Sequence, residues 1–228
     1  MIESPLRRNQ FPMLKPTFYV EDEDFAPQVA HPGDAGADIK AFVEGGFNRA
    51  DAIRFFREFE SDALKYGYKL YINGEHFESE LLPFFLEKIE NEGGAVFLPP
   101  GETVLVNSGF KIVLPEIQKV YPGPPWNQFV LQYKIVGRSG LCHKHGVVVT
   151  NSPGVIDSGY RDWVKVSLTN EIGKGALGDN YHVFTHGARI AQGVCELAID
   201  QSDSVVTTNK SVFTKTDRSL GGFGSTGV

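Results

Sequence analysis

Apolar positions along the chain change their period twice, so that a helical stretch interrupts a strand-like sequence. Between residues 48 and 66, Ala52, Ile53, Phe56, Phe59, Ala63 and Tyr66 recur at helical spacing, and Arg54, Arg57, Glu58 and Asp62 fill much of the other face. Asn48 is placed to cap this helix and Gly67 to stop it. Residues 68–72 read as a short strand running into an Asn73-Gly74 turn signal. Ser79 opens a second helix with Leu81, Leu82, Phe85 and Ile89 on one stripe. Pro83 falls early enough to be tolerated in its first turn, and Gly93-Gly94 ends it.

Elsewhere the period is that of strands. Residues 14–20, 96–98, 103–107, 110–114, 129–136, 147–151, 163–170, 182–185 and 189–197 are β-rich runs, several of them separated by Gly and Pro. The acidic run Glu21-Asp22-Glu23-Asp24 reads as a solvated turn, and Tyr121-Pro122-Gly123-Pro124-Pro125 as a rigid loop. Many short strands of this kind favour a β-barrel or jelly roll.

Composition narrows the choice. At 228 residues the chain is one enlarged domain or two small ones. Hydrophobic residues at 41% and charged residues at 22% exclude wholesale disorder. A net charge of -6 argues against a general nucleic-acid binder, while leaving room for a local phosphate pocket. Two cysteines, Cys142 and Cys195, cannot frame a disulfide-rich domain and have no zinc spacing, so free thiols are expected. The N-terminus has no apolar leader and no run approaches a membrane span, so a soluble, cytoplasmic protein with no membrane partner is expected.

Chemistry concentrates in glycine-bearing turns. The segment Arg218-Ser219-Leu220-Gly221-Gly222-Phe223-Gly224-Ser225-Thr226-Gly227 combines backbone N–H groups that can nest an anion with hydroxyl and guanidinium donors. It is no Walker A loop, because no Gly-Lys-Ser/Thr occurs. Gly137-Arg138-Ser139-Gly140-Leu141 can hold a phosphate chain. Gly154-Val155-Ile156-Asp157-Ser158-Gly159-Tyr160-Arg161 sets an Asp and a Tyr three apart at a turn. Gly187-Ala188-Arg189-Ile190-Ala191-Gln192 and Asp34-Ala35-Gly36-Ala37-Asp38-Ile39 complete the set.

Together and in this order, these runs resemble the five motifs of the trimeric dUTPase family, the deoxyuridine triphosphate diphosphatases. The resemblance covers 31–43 and 95–228. It implies a mainly β, dUTPase-like jelly-roll β-barrel that forms a homotrimer with active sites shared between subunits. The expected layout is a discontinuous β domain of 1–44 and 95–215, a helical insertion at 45–94, and a flexible Gly-rich arm at 216–228 that closes over the active site. The implied reaction is hydrolysis of dUTP to dUMP and pyrophosphate with Mg²⁺, which limits uracil in DNA and supplies dUMP for dTMP synthesis.

The resemblance also implies roles. Asp157 matches the water-activating carboxylate, Gln192 a residue beside the water and phosphates, and Asp38 the early carboxylate that organises the hydrated metal. Mg²⁺ is expected mainly on substrate phosphates and water, with no direct protein ligand. Arg138, Ser139 and Gly140 match the phosphate-chain motif, with Arg189 preceding Gln192 as in the family. Asn151 matches the uracil-binding residue on a hairpin spanning 147–160, to which Gly154, Val155 and Ile156 add backbone groups. Tyr160 matches the ring that packs on deoxyribose and leaves no room for a 2′-hydroxyl. In the arm, Phe223 would stack on uracil beside Gly222 and Gly224, while Arg218, Ser225 and Thr226 grip the γ-phosphate. Cys142 and the run His143 to His145 are expected on a strand after the phosphate motif, in a structural role.

The chain departs from the family pattern at Gly159, where a second Asp is frequent, at Asp162-Trp163, and at Gly137, where Pro is common. Gly159 resembles the related dCTP deaminases, which also use a Glu three residues before an Asn ending the next strand. Here the Asn is Asn170 and that position is Ser167, so a deaminase or bifunctional enzyme lacks its proton shuttle. A third reading is a regulatory protein whose insertion docks a protein partner or lines the site entrance, motivated by Phe55, Phe56, Phe59, Phe84 and Phe85.

Overall fold

The computed structural model describes residues 14–44, 49–66, 68–78, 82–171, 180–202, 204–206 and 208–209. Three short strands come first, β1 (Thr17–Val20), β2 (Gln28–Val29) and β3 (Gly36–Lys40). The segment expected as an insertion follows as α1 (Arg49–Tyr66), β4 (Lys69–Ile72), β5 (Glu75–His76) and α2 (Leu82–Glu92). Then come β6 (Ala95–Leu98), β7 (Thr103–Asn107), β8 (Phe110–Val113), a helical turn α3 (Ile117–Val120) and the long strand β9 (Phe129–Val136). The chain continues through α4 (Ser139–His145), β10 (Val147–Val149), β11 (Gly154–Ile156), β12 (Lys165–Asn170), β13 (Asn180–Thr185) and β14 (Arg189–Ile199).

The strands form four sheets, in the orders β1-β8, β10-β12-β7, β11-β9-β14-β3-β2 and β5-β4-β13-β6. The fold is of the jelly-roll β class expected from the sequence. Its core gathers Ile39, Leu98, Val106, Phe110, Ile112, Leu131, Ile135, Val166, Leu168, Phe184 and Ile190 from these sheets. On β9, the inward positions Leu131, Tyr133 and Ile135 alternate with half-buried neighbours, the period-two pattern that the sequence displays.

The insertion is bound into this frame by a strand. β4 pairs parallel with β13, which pairs antiparallel with β6 on its other side. Successive side chains on a strand face opposite ways. Phe184 accordingly joins the main core, while Val183 joins a second core with Ala52, Phe56, Leu70, Phe85, Leu86, Ile89 and Ala95. Most of the aromatic surplus is consumed there: Phe56 packs on Phe77 and Phe85, and Phe55 on Phe97. Phe84 is the exception, at 70% exposed.

Two expectations are corrected. Residues 143–145 lie in α4 and not on a strand. Leu141 turns inward, His145 follows one helical turn later on the same side, and Gly146 closes the helix in the left-handed region. The stretch 147–160 is also no paired hairpin. β10 pairs with β12 and β11 with β9, so the connection is an arch between two sheets. The expected caps Asn48 and Ser79, the stop Gly67, and the arm 216–228 lie outside the described residues.

Candidate active site

Strand register places the first group of site residues. Gln192 on β14 stands opposite Asp38 on β3 and opposite Val136 on β9, so the three strands carry one row across the sheet. Arg138 follows two residues beyond that row. The β14–β3 register shifts between Arg189 and Ala191. Such a bulge re-aims side chains, and Arg189 Nη1 reaches Asp38 Oδ2 at 3.2 Å. Arg138 Nε donates to the other oxygen, Asp38 Oδ1, at 3.1 Å, and its Nη1 donates to the Arg189 carbonyl at 3.3 Å. One carboxylate thus holds two guanidiniums side by side. The Asp38 side chain is only 14% exposed and that of Arg189 58%, so the charge is anchored inside and presented outside.

Beyond this array lies a pocket of about 220 Å³. Arg138, Ser139, Gly140 and Gln192 line one part of it. Lys144 and His145 of α4 and the Asn73-Gly74 turn of the insertion line the rest, and sequence reasoning had not placed them there. The Asn-Gly signal was visible, but its position depends on β4 pairing with a strand about a hundred residues later.

The second group sits on the arch and the turn that follows it. Asn151 is exposed, with its side chain over Gly154, where a Cβ would lie 3.1 Å from Asn151 Nδ2. Among the described residues β11 is the edge strand of its sheet, so one side of the backbone at Gly154, Val155 and Ile156 has no strand partner there. The Tyr160 N–H donates to the Asp157 carbonyl at 3.0 Å, closing a tight turn. Arg161 Nη1 braces this turn by donating to the carbonyls of Ser158 and Tyr160 at 2.6 and 2.7 Å. The Tyr160 hydroxyl donates to the Trp163 carbonyl at 2.8 Å, which fixes the ring. Burial pushes its phenol up, and Asp162 adds to the effect. Asp157 itself is exposed.

The departures from the family pattern leave this turn intact. A Cβ at Gly159 would meet nothing within 4 Å, so packing does not choose between Gly and Asp there. Asp162 Oδ1 accepts the Trp163 N–H at 2.8 Å and so acts as a turn brace. Ser167, at the deaminase Glu position, donates to Thr150 Oγ1 at 3.1 Å within a run of hydroxyls that includes Thr169 and Thr103. Hydroxyls of this kind cannot shuttle a proton as a carboxylate does.

Register runs the second group away from Arg138: Gly154 pairs with Ile135, three residues before Arg138, and the strand then leads the Asp157 turn off in the other direction. Ile156, next to Asp157, pairs with Tyr133, five residues before Arg138 in the chain, a separation of roughly 16 Å if the extended chain continues past β9 at ~3.3 Å per residue. The third group, Arg218, Gly222, Phe223, Gly224, Ser225 and Thr226, lies outside the described residues. Among the described residues no cluster of three or more His, Cys, Asp or Glu could cage a metal, and Asp38 spends both oxygens on arginines.

Known proteins match these features. The dUTPase family profile covers residues 95–227, more than half of the chain. The deoxyuridine 5'-triphosphate nucleotidohydrolase of Roseobacter denitrificans is 38% identical over 138 residues, 59% of this chain and 73% of that protein. The enzyme of the same name from Desulfotalea psychrophila is 34% identical over 170 residues, 70% of this chain and 95% of that protein. Among solved structures, the Staphylococcus bacteriophage 80alpha dUTPase with dUpNHpp superposes with a TM-score of 0.56 at 16% identity, covering 94% of this chain and 99% of that one, which speaks for the fold. With the motifs, the fold and these relatives in agreement, the chain belongs to the dUTPase family.

Proposed function

We propose that the protein hydrolyses dUTP to dUMP and pyrophosphate, limiting uracil in DNA and supplying dUMP for dTMP synthesis. The observation that carries this reading is the Arg138–Asp38–Arg189 array beside Gln192 at the mouth of a polar pocket. Paired guanidiniums present forked donors matched to phosphate oxygens. Arg138, with Ser139 and Gly140, holds the phosphate chain and stabilises charge on the leaving oxygen. Asp157 orients a water and accepts its proton as the water attacks the α-phosphorus. The Tyr160 ring, held by its bond to the Trp163 carbonyl, packs on the deoxyribose and excludes a 2′-hydroxyl. Asn151 and the open edge of β11 read the uracil, since a site built to hydrogen-bond one base edge rejects others strongly.

Asp38 would organise the hydrated face of a Mg²⁺ ion arriving with the triphosphate, and the ion would supply charge neutralisation there. The arm at 216–228 closes over the site, with Phe223 on the base and Arg218, Ser225 and Thr226 on the γ-phosphate; base–aromatic stacking contributes about 1–3 kcal/mol. The separation of Arg138 from the Asp157 turn motivates a homotrimer in which different subunits supply the two groups. No helix of the described residues is long and apolar enough to cross a membrane, and we read the enzyme as cytoplasmic.

The test is pyrophosphate release from dUTP, dCTP, dTTP and UTP, with and without Mg²⁺. Release with dUTP far above the others is expected. Ammonia release from dCTP at a comparable rate would overturn the assignment in favour of a deaminase.

A further inference from the structure

We propose that the insertion positions the phosphate-binding turn, through a brace that runs from Tyr71 and the Asn73-Gly74 turn to His145 at the far end of α4. This inference rests on the reading that the pocket beside Arg138 holds the triphosphate.

The turn is held rigidly. Asn73 and Gly74 both have positive φ, 53° and 86°. The Asn73 N–H donates to the Val183 carbonyl at 2.9 Å. Its side chain is clamped at both ends to Thr185, donating from Nδ2 to Oγ1 and accepting the Thr185 N–H at Oδ1, each at 2.9 Å. Thr185 is 1% exposed, so the clamp is fixed to the interior of β13.

α4 leans on that fixed point. The space at Gly74 lies 3.6 Å from His145 Nε2 and 3.6 Å from Leu141 Cδ2. The Tyr71 ring meets the His145 ring edge-on at 5.0 Å and stacks on His182 at 5.4 Å. His182 Nε2 lies 3.1 Å from the His145 carbonyl, which can only accept, so the ring donates there. The helix is seven residues long and begins directly after Arg138. A helix this short has little stability of its own, and packing sets its direction. Fixing the His145 end therefore fixes where Ser139 and Gly140 point. Lys144 lies between the two ends, lines the same pocket, and forms no ion pair among the described residues.

Small displacements matter at such a site: a shift of about 1 Å in a positioning contact can lower rate about 100-fold. Tyr71 does not line the pocket, so Tyr71→Ala removes the brace without removing a substrate contact. Binding of dUpNHpp and of dUMP is measured by calorimetry on the full-length protein, alongside kcat and KM for dUTP. Tyr71→Ala should weaken dUpNHpp at least tenfold and raise KM, while dUMP, which lacks the outer phosphates, changes less than twofold. Tyr71→Phe, which keeps the ring, should restore wild-type values. Gly74→Ala adds one methyl against His145 at a backbone conformation that favours glycine, and should give the same phosphate-selective loss if Tyr71→Ala does not fold. Equal weakening of both ligands, or none of either, in variants that remain folded would overturn the proposal while leaving dUTP hydrolysis by the wild type as its own result. A wild type that hydrolyses no dUTP would instead overturn the proposed reaction.

Discussion

At Asp38 one carboxylate organises two arginines, and its loss should be felt in both stability and catalysis. Asp38→Asn keeps the shape but weakens both charge-assisted bonds, 3.1 and 3.2 Å long. A loss of about 1–3 kcal/mol in stability is expected, with at least a tenfold fall in kcat/KM for dUTP, read by melting and steady-state kinetics. Close to the same row, Gly193 carries no side chain because the Tyr133 ring lies over it, and a methyl there would overlap the ring. Gly193→Ala should therefore cost about 1–3 kcal/mol or more and disturb the neighbouring Gln192. The Tyr133 hydroxyl is buried and has no hydrogen-bond partner among the described residues, so Tyr133→Phe should be neutral or stabilising in the same melts.

At the scale of elements, the helix after the phosphate motif is where sequence and structure part most. The run Cys142-His143-Lys144-His145 has no helical stripe long enough to read; the Gly146 cap, the burial of Leu141 and docking on Tyr71 and His182 hold it as a helix. The two long helices of the insertion were legible because their stripes span several turns; Ala52, Phe56, Phe85 and Ile89 are all buried as expected. The parallel pairing of β4 with β13 was not legible, since a strand's period says nothing about its partner. The motif residues were legible as a resemblance but their meeting was not: register sets Gln192 opposite Asp38 and Val136, and Arg138, two residues beyond β9, reaches Asp38 through its side chain.

That docking has a pH signature. Burial pulls His182 from 6.5 down to about 4, with His145 adding to the shift. His145 moves the same way, by burial and by Lys144. The rings packed against His182 are those of Tyr71, His145 and Phe184, with Leu98 opposite it on β6; among the described residues none of these is a carboxylate. The unfolded ring takes up a proton that the folded ring refuses, so stability is full above about pH 6.5 and falls as the pH drops toward about 4. The limb should amount to about 3 kcal/mol. His182→Phe should remove most of it in melts taken between these pH values; an unchanged slope would contradict the assignment.

For the whole molecule, the separation of Arg138 from the Asp157 turn predicts complementation between inactive variants. Arg138→Ala and Asp157→Asn chains, each inactive alone, should regain about a quarter of wild-type activity when co-assembled in equal amounts, because random mixing leaves that share of shared sites intact. No recovery would place both groups in one protomer's site. The catalytic claim itself is tested most directly by pyrophosphate release from dUTP with Mg²⁺, wild type beside Asp157→Asn. Turnover by the wild type and its loss in the variant, with dUpNHpp still bound, is the predicted result. Normal turnover by Asp157→Asn would contradict it.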